Sequence, residues 1–144
     1  MEKFIEKENA IFGILQKFMD MNLEFIIVGG YAVSAFKHRF SVDADIVIQP
    51  EDLEKFESIL KKEGFKKTSE KKPENIYSSE FVRYEKDRVS VDILVGALAS
   101  RTTDASFSYK ILLSNSVKKK IIGLEKEINA KVPIKELLIV MKIH

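Results

Sequence analysis

The sequence predicts an α+β fold, a mixed β-sheet flanked by helices, and three observations carry that prediction. Helical repeats and short apolar runs alternate through the first half of the chain. Paired strand-like segments fill most of the second half. The 144 residues, 45% of them hydrophobic, are enough for the core of one ordinary domain, read here as residues 1–144 without a linker or internal repeat.

Phe4, Ile11, Leu15 and Phe18 recur at three- and four-residue spacing and predict an amphipathic helix ending near Asn22. The apolar run LEFIIV, residues 23–28, then reads as a strand buried on both faces and stopped by Gly29 and Gly30. YAVSAFKH fits a short helix launched by those glycines, and Ala44 to Ile48 a second strand. Pro50, Glu51 and Asp52 open a helix carrying Leu53, Phe56, Ile59 and Leu60, which Gly64 closes. Residues 66–76 read as a strand edge running into a polar loop.

FVRYE and RVSVDILV, on either side of Lys86 and Asp87, predict an antiparallel hairpin. A loop is expected from Gly96 to about Ser106, and the cluster from Phe107 to Leu113 fits either a helix or a strand. VKKKIIG and INAKV predict a second hairpin, and Pro133 is expected to start a helix with Ile134, Leu137, Leu138 and Met141 on one face.

Composition narrows the function classes. Lys plus Arg number 24 against 22 Asp plus Glu, so a strongly basic nucleic-acid binder is not indicated. The triplet Lys118, Lys119 and Lys120 reads as a solvated strand face. With no cysteine, disulfides, zinc–thiolate sites and thiol nucleophiles are excluded, and a reducing, cytoplasmic setting fits. Glu6, Lys7 and Glu8 interrupt any signal-like run, and no stretch approaches the ~20 apolar residues of a membrane span. His38 and His144 are too few and too far apart for a histidine metal site, and Tyr31 is assigned to packing.

The chemically informative segment is FIIVGGYAVSAFKHRFSVDADIVI. Glycines between a strand and a helix let the backbone approach a phosphate, and free N–H groups there stabilise its charge. Gly29 and Gly30 stand in that position. Because side chains alternate along a strand, Asp43 and Asp45 point to one side, about 6.5 Å apart at Cα. Converging carboxylates repel unless a cation neutralises them, and hard oxygen ligands suit Mg²⁺ (or Mn²⁺) carrying substrate phosphates. A third carboxylate, Asp92, lies with Ser90 on the polar face of the strand Val89 to Val95. Paired beside Asp43 and Asp45, it completes a set able to hold two metal ions roughly 4 Å apart for phosphoryl transfer. Each piece alone has an ordinary reading as a tight turn, a strand end or an outward acid. Their order and spacing fit one site.

Gly29-Gly30, with Asp43-Ala44-Asp45 after twelve intervening residues and a later strand acid, resembles the signature of the DNA polymerase β-like nucleotidyltransferase superfamily. Gly29-Gly30-Tyr31-Ala32-Val33 with Arg39-Phe40-Ser41-Val42-Asp43-Ala44-Asp45-Ile46 most resembles the AbiEii-type toxins of toxin–antitoxin systems. Minimal and aminoglycoside nucleotidyltransferases are similar but more distant.

The resemblance implies a nucleotidyltransferase fold and transfer of a nucleoside monophosphate from an NTP such as ATP to a hydroxyl. It implies that Gly29 and Gly30 contact the triphosphate, that Asp43 and Asp45 bind both metals, and that Asp92 completes one metal site and helps deprotonate the acceptor. Ser41 stands where this group often has Thr, and Arg39 just before it is read either as a contact for phosphate oxygens, for which its forked guanidinium is suited, or as an ordinary surface arginine; both are carried as candidate nucleotide-binding residues. A tRNA or protein acceptor, an antitoxin partner and a homodimer follow as expectations, with a non-catalytic nucleotide-binding or interaction module as the alternative. AbiEii-like chains continue past a helix resembling KELLIVMKIH, so a further helical region is expected to contribute to full competence.

Overall fold

The computed structural model describes residues 2–29, 43–71, 80–99 and 106–137. The helix expected at YAVSAFKH, the loop at 72–76, and Gly30, Tyr31, His38, Arg39, Ser41, Leu138, Met141 and His144 lie outside them.

Helix α1 (Glu2–Asp20) buries Ile11, Phe12, Leu15 and Phe18, the stripe that its spacing predicts. Its end is tied by Leu23 N donating to Phe18 O (3.0 Å) and Asn22 N to Met19 O (2.9 Å), with Asn22 in the left-handed region at φ 60°. This is a Schellman closure with asparagine in the position that glycine usually fills. It draws in Leu23, and strand β1 (Ile26–Val28) is therefore shorter than the expected 23–28. Phe25 stacks edge-on against Phe18 and Phe56 at 5.9 and 6.2 Å between ring centres.

Strand β2 (Asp43–Ile48) leads through a short 3-10 turn (Pro50–Asp52) into α2 (Leu53–Lys62), and β3 (Lys66–Lys71) follows. Strands β4 (Glu80–Lys86) and β5 (Val89–Val95) form the expected hairpin. Asp87 and Arg88 both take positive φ, 50° and 66°, so the turn lies one residue later than Lys86–Asp87. Two successive left-handed residues match the twist of the flanking strands.

The loop expected from Gly96 to Ser106 is corrected in part, because β6 (Ala97–Ala99) pairs antiparallel with β7 (Ser106–Ser108). Gly96, at φ 83°, makes the bend by donating its N–H to Ile48 O (2.8 Å) and accepting from Tyr109 N (2.9 Å). The open choice at Phe107 to Leu113 resolves into both forms: β7 runs into α3 (Tyr109–Ser114), with Ser108 capping Ile111 N at 3.3 Å. Strands β8 (Ser116–Ile122) and β9 (Glu127–Pro133) form the second hairpin. Pro133 closes β9 rather than opening a helix. Ile134 N instead donates to Asn115 O at 2.7 Å, and helical residues begin at 135.

The described residues form a seven-stranded sheet in the order β3-β4-β5-β2-β1-β9-β8 and a separate β6-β7 pair. It is a mixed sheet, with β2–β5 and β1–β9 parallel and the other neighbours antiparallel. One face packs Ile27, Ala44, Ile46, Val82, Tyr84, Val91 and Ile93 against α1 and α2. The other face carries Ile26, Val28, Val47 and Leu94 under Tyr109 and Leu112 of α3, with Leu137 beside them. No helix is long and apolar enough to cross a membrane among the described residues.

Candidate active site

The three acids meet because of one strand register. β2 and β5 run parallel over six pairs, which set Asp43 opposite Ser90 and Asp45 directly opposite Asp92. Alternation along β2 sends Ala44, Ile46 and Ile48 into the core under α1 and α2. The same alternation leaves Asp43 and Asp45 on the opposite face, upstream of Val47, which joins the cluster under α3. Asp43 is exposed, Asp45 half-buried, and Asp92 only 9% exposed.

Gly29 follows Val28, the residue paired with Asp45. Its φ is +72°, and a β-carbon there would fall onto Asp45 Oδ2. Only glycine combines the left-handed backbone with that close approach to a carboxylate. The sequence reading placed Gly29 at a phosphate site. The structure adds that it closes on an acid of the cluster.

Electrostatics mark the cluster as short of positive charge. The Asp45 carboxyl is pushed up to about 7, first by burial, then by the charge of Asp92, a hydrogen bond with Asp92, and the charge of Asp43; Arg83 pulls the other way. Ser90 Oγ donates to Asp43 Oδ1 at 2.7 Å.

Arg83, which sequence reasoning missed, is a cation of the site among the described residues. Its Nε donates to Asp92 Oδ1 at 2.7 Å and its Nη2 to Asp92 Oδ2 at 3.0 Å, while the guanidinium lies 5.5 Å from the Phe81 ring centre. Asp92, first by hydrogen bonding and then by its charge, raises the Arg83 guanidinium above its ordinary value. A signal was present in the sequence. A two-residue turn at Asp87–Arg88 pairs Arg83 with Asp92 by counting back along the hairpin, on the face opposite Val82 and Tyr84.

Three hard carboxylates on one face suit a divalent cation with bound phosphates. As the side chains stand, no group of three or more His, Asp or Glu is arranged to hold a metal ion among the described residues. Arg83 takes both oxygens of Asp92, and Ser90 holds one of Asp43. The donor chemistry of the three carboxylates fits the group.

Two other clusters lie apart. The Tyr84 hydroxyl donates to Glu57, which also pairs with Lys67 at 3.1 Å, on the α2 face. A groove of about 630 Å³ beside α1, lined by Gly13, Lys17, Phe65 and Lys86, lies on that same face. Lys118, Lys119 and Lys120 are exposed on the edge strand β8, as their composition predicts.

The model of the aminoglycoside-2''-adenylyltransferase family matches residues 10–119, well over half of the chain. The chain belongs to that family. Membership places it among the nucleotidyltransferase enzymes, and the matched span of this aminoglycoside-2''-adenylyltransferase family member contains Gly29, Asp43, Asp45, Arg83 and Asp92.

Solved structures share the fold. A protein of Thermotoga maritima provisionally designated a nucleotidyltransferase superposes with a TM-score of 0.69 at 12% identity, covering 94% of this chain and 81% of its own. Lincomycin-bound LnuA, a lincosamide antibiotic adenylyltransferase, gives 0.64 at 17% identity, covering 92% and 84%. ANT(2")-Ia in complex with adenylyl-2"-tobramycin gives 0.60 at 16% identity, covering 87% and 68%. No curated protein matches the chain.

Proposed function

We propose that the protein is a metal-dependent nucleotidyltransferase that moves an NMP from an NTP to a hydroxyl of a small acceptor, with Asp43, Asp45 and Asp92 at its centre. The observation that carries this reading is the pairing of Asp45 with Asp92 on adjacent parallel strands, with Asp43 two residues before on the same face. Family membership and the adenylyltransferase neighbours support the reaction class.

In this reading Asp43 and Asp45 hold Mg²⁺ or Mn²⁺, and Asp92 completes the set. The metal, when bound, neutralises triphosphate charge and polarises the α-phosphoryl group. Gly29 and Gly30 bring backbone close to the phosphates, while Arg39 and Ser41 meet phosphate oxygens. Asp92 takes the proton of the acceptor hydroxyl. The acceptor oxygen bonds to the α-phosphorus as the bond to the β-phosphate bridging oxygen breaks, and pyrophosphate departs. Orientation by the fixed strands supplies much of the rate.

The matched family and two neighbours named for antibiotic adenylyltransfer support a small hydroxylated acceptor. The likeness of residues 29–46 to AbiEii-type toxins supports a second acceptor, a tRNA end, with an antitoxin partner and a cytoplasmic setting. Self-association through the C-terminal helix belongs to the same reading and is tested by light scattering. The deciding experiment incubates the full chain with each α-labelled NTP, Mg²⁺ or Mn²⁺, and either an aminoglycoside and lincosamide panel or total tRNA. Label on an antibiotic supports the first acceptor, and label on RNA the second. NTP binding without any transfer supports a non-catalytic module and overturns the enzymatic reading.

A further inference from the structure

We propose that the open edge of β8 takes up an extended acidic segment of a partner protein, which adds to the sheet as a further strand. The inference is independent of the metal and acceptor readings above. β8 closes one end of the seven-stranded sheet, and no strand lies on its outer side among the described residues. It pairs with β9 along its whole length without a bulge, whereas β3, at the other end, is irregular between Lys67 and Ser69. A bulge spoils an edge for further pairing, so of the two outer strands β8 is the regular one.

The direction of its backbone groups follows from the bonds at its two ends. Ile134 N donates to Asn115 O at 2.7 Å and Gly123 N to Lys126 O at 2.8 Å, both in continuation of the β8–β9 register. Bonded and non-bonded pairs alternate in an antiparallel ladder, so Val117, Lys119 and Ile121 turn their N–H and C=O groups towards β9. Ser116, Lys118, Lys120 and Ile122 turn theirs outwards, into the open edge.

Charge selects the partner. Lys118 and Lys120 stand on one face of β8, and Lys118 lies directly opposite Lys131 of β9. Like charges so placed destabilise a sheet, and an acidic side chain on the outer side of Lys118 relieves that repulsion. Two β8 edges paired antiparallel about Lys119 would set Lys118 against Lys120, so the edge is closed to a second copy while open to an acidic strand. Val117 and Ile122, 36% and 51% exposed, flank the lysines and give such a strand apolar contact at both ends. A nucleic-acid backbone fits less well, because phosphates only accept hydrogen bonds and would leave the outward carbonyls without donors.

The test uses the full chain and a short fluorescein-labelled peptide that alternates glutamate with valine, so that its acids share one face. Fluorescence anisotropy is expected to show saturable binding by the wild type, about five- to tenfold weaker binding by Lys118→Glu, and none when lysine replaces glutamate in the peptide. A glutamate–valine peptide N-methylated on the residues that face β8 keeps its charge and is expected to bind about tenfold more weakly. In amide exchange followed by NMR, saturating peptide is expected to slow the outward N–H groups of Lys118 and Lys120 and to leave Lys119, whose N–H faces β9, unchanged. The peptide and exchange arms use the unaltered protein, so they decide the inference even if Lys118→Glu does not fold. Absence of glutamate–valine binding, equal binding of the N-methylated peptide, or unchanged exchange at Lys118 and Lys120 overturns the inference. Binding of single-stranded oligouridine in place of the peptide also overturns it, since the lysines would then serve phosphates.

Discussion

Asp45→Asn should make the metal-free protein more stable at neutral pH, and the gain should depend on pH in a defined way. In the folded chain the Asp45 carboxyl is raised from 3.8 to about 7, chiefly by burial and then by Asp92. A raised folded value means that the native state holds its proton more tightly than the unfolded chain does. Stability from this group is therefore fully present below about 4 and is lost as pH rises towards 7. Asparagine mimics the protonated form at every pH. At about 1.36 kcal/mol per unit the shift sets a ceiling near ~4 kcal/mol, and partial exposure of the side chain lowers the working figure to about 2–4 kcal/mol.

In melting temperature that gain is on the order of 10 °C for a chain of this size. Urea unfolding of both proteins in EDTA at pH 5, 6, 7 and 8 measures it. The difference between variant and wild type should be smallest at pH 5, grow through pH 7 and then level. A difference that does not change with pH, or an Asp45→Asn protein less stable at pH 8, would refute the repulsion argument and make the acid a structural group.

Gly29→Ala should lose about 1–3 kcal/mol, because alanine is strained at φ +72° and its β-carbon falls on Asp45 Oδ2; an unchanged melting curve would contradict that close approach. Asp43→Asn should fold normally yet lose the stabilisation that NTP with Mg²⁺ gives the wild type, about 2.7 kcal/mol at a hundredfold excess over Kd. A thermal-shift series with and without nucleotide decides it. Tyr84→Phe should cost roughly 1 kcal/mol by removing the hydroxyl that donates to Glu57, with transfer activity unchanged since the pair lies on the α2 face; a selective loss of turnover would connect that cluster to the site. Phe18→Ala should cost about 3–5 kcal/mol, since the ring is fully buried between Phe25 and Phe56, and chemical denaturation reads it directly.

The residue pattern alone determined most of what is local. The spacing of Ile11, Leu15 and Phe18 defined α1, alternation defined β5, and alternation put Asp43 and Asp45 on one side before any neighbour was known, although the strand expected from Ala44 begins one residue earlier, at Asp43. The α+β class was legible in the succession of helical repeats and strand-like runs, and the nucleotidyltransferase reaction class in the family resemblance carried by Gly29-Gly30 and Asp43-Ala44-Asp45. The length of β1 was not, because a helix cap and an aromatic cluster, both tertiary in origin, draw in Leu23 and Phe25. Nor was the strand at Ala97–Ala99, whose three small and apolar residues carry no period and pair only because Gly96 bends the chain towards β7.

Tertiary structure alone decided that β5 lies parallel to β2 with Asp92 opposite Asp45, since residues almost fifty apart in sequence carry no register information for one another. Which charge answers Asp92 follows from the hairpin register, which the expected turn at Lys86–Asp87 set one residue too early. Arg83 reads in the sequence as one more alternating polar residue of a hairpin; it becomes the partner of a largely buried acid only because the Asp87–Arg88 turn sets that register and the sheet buries Asp92 between its neighbours.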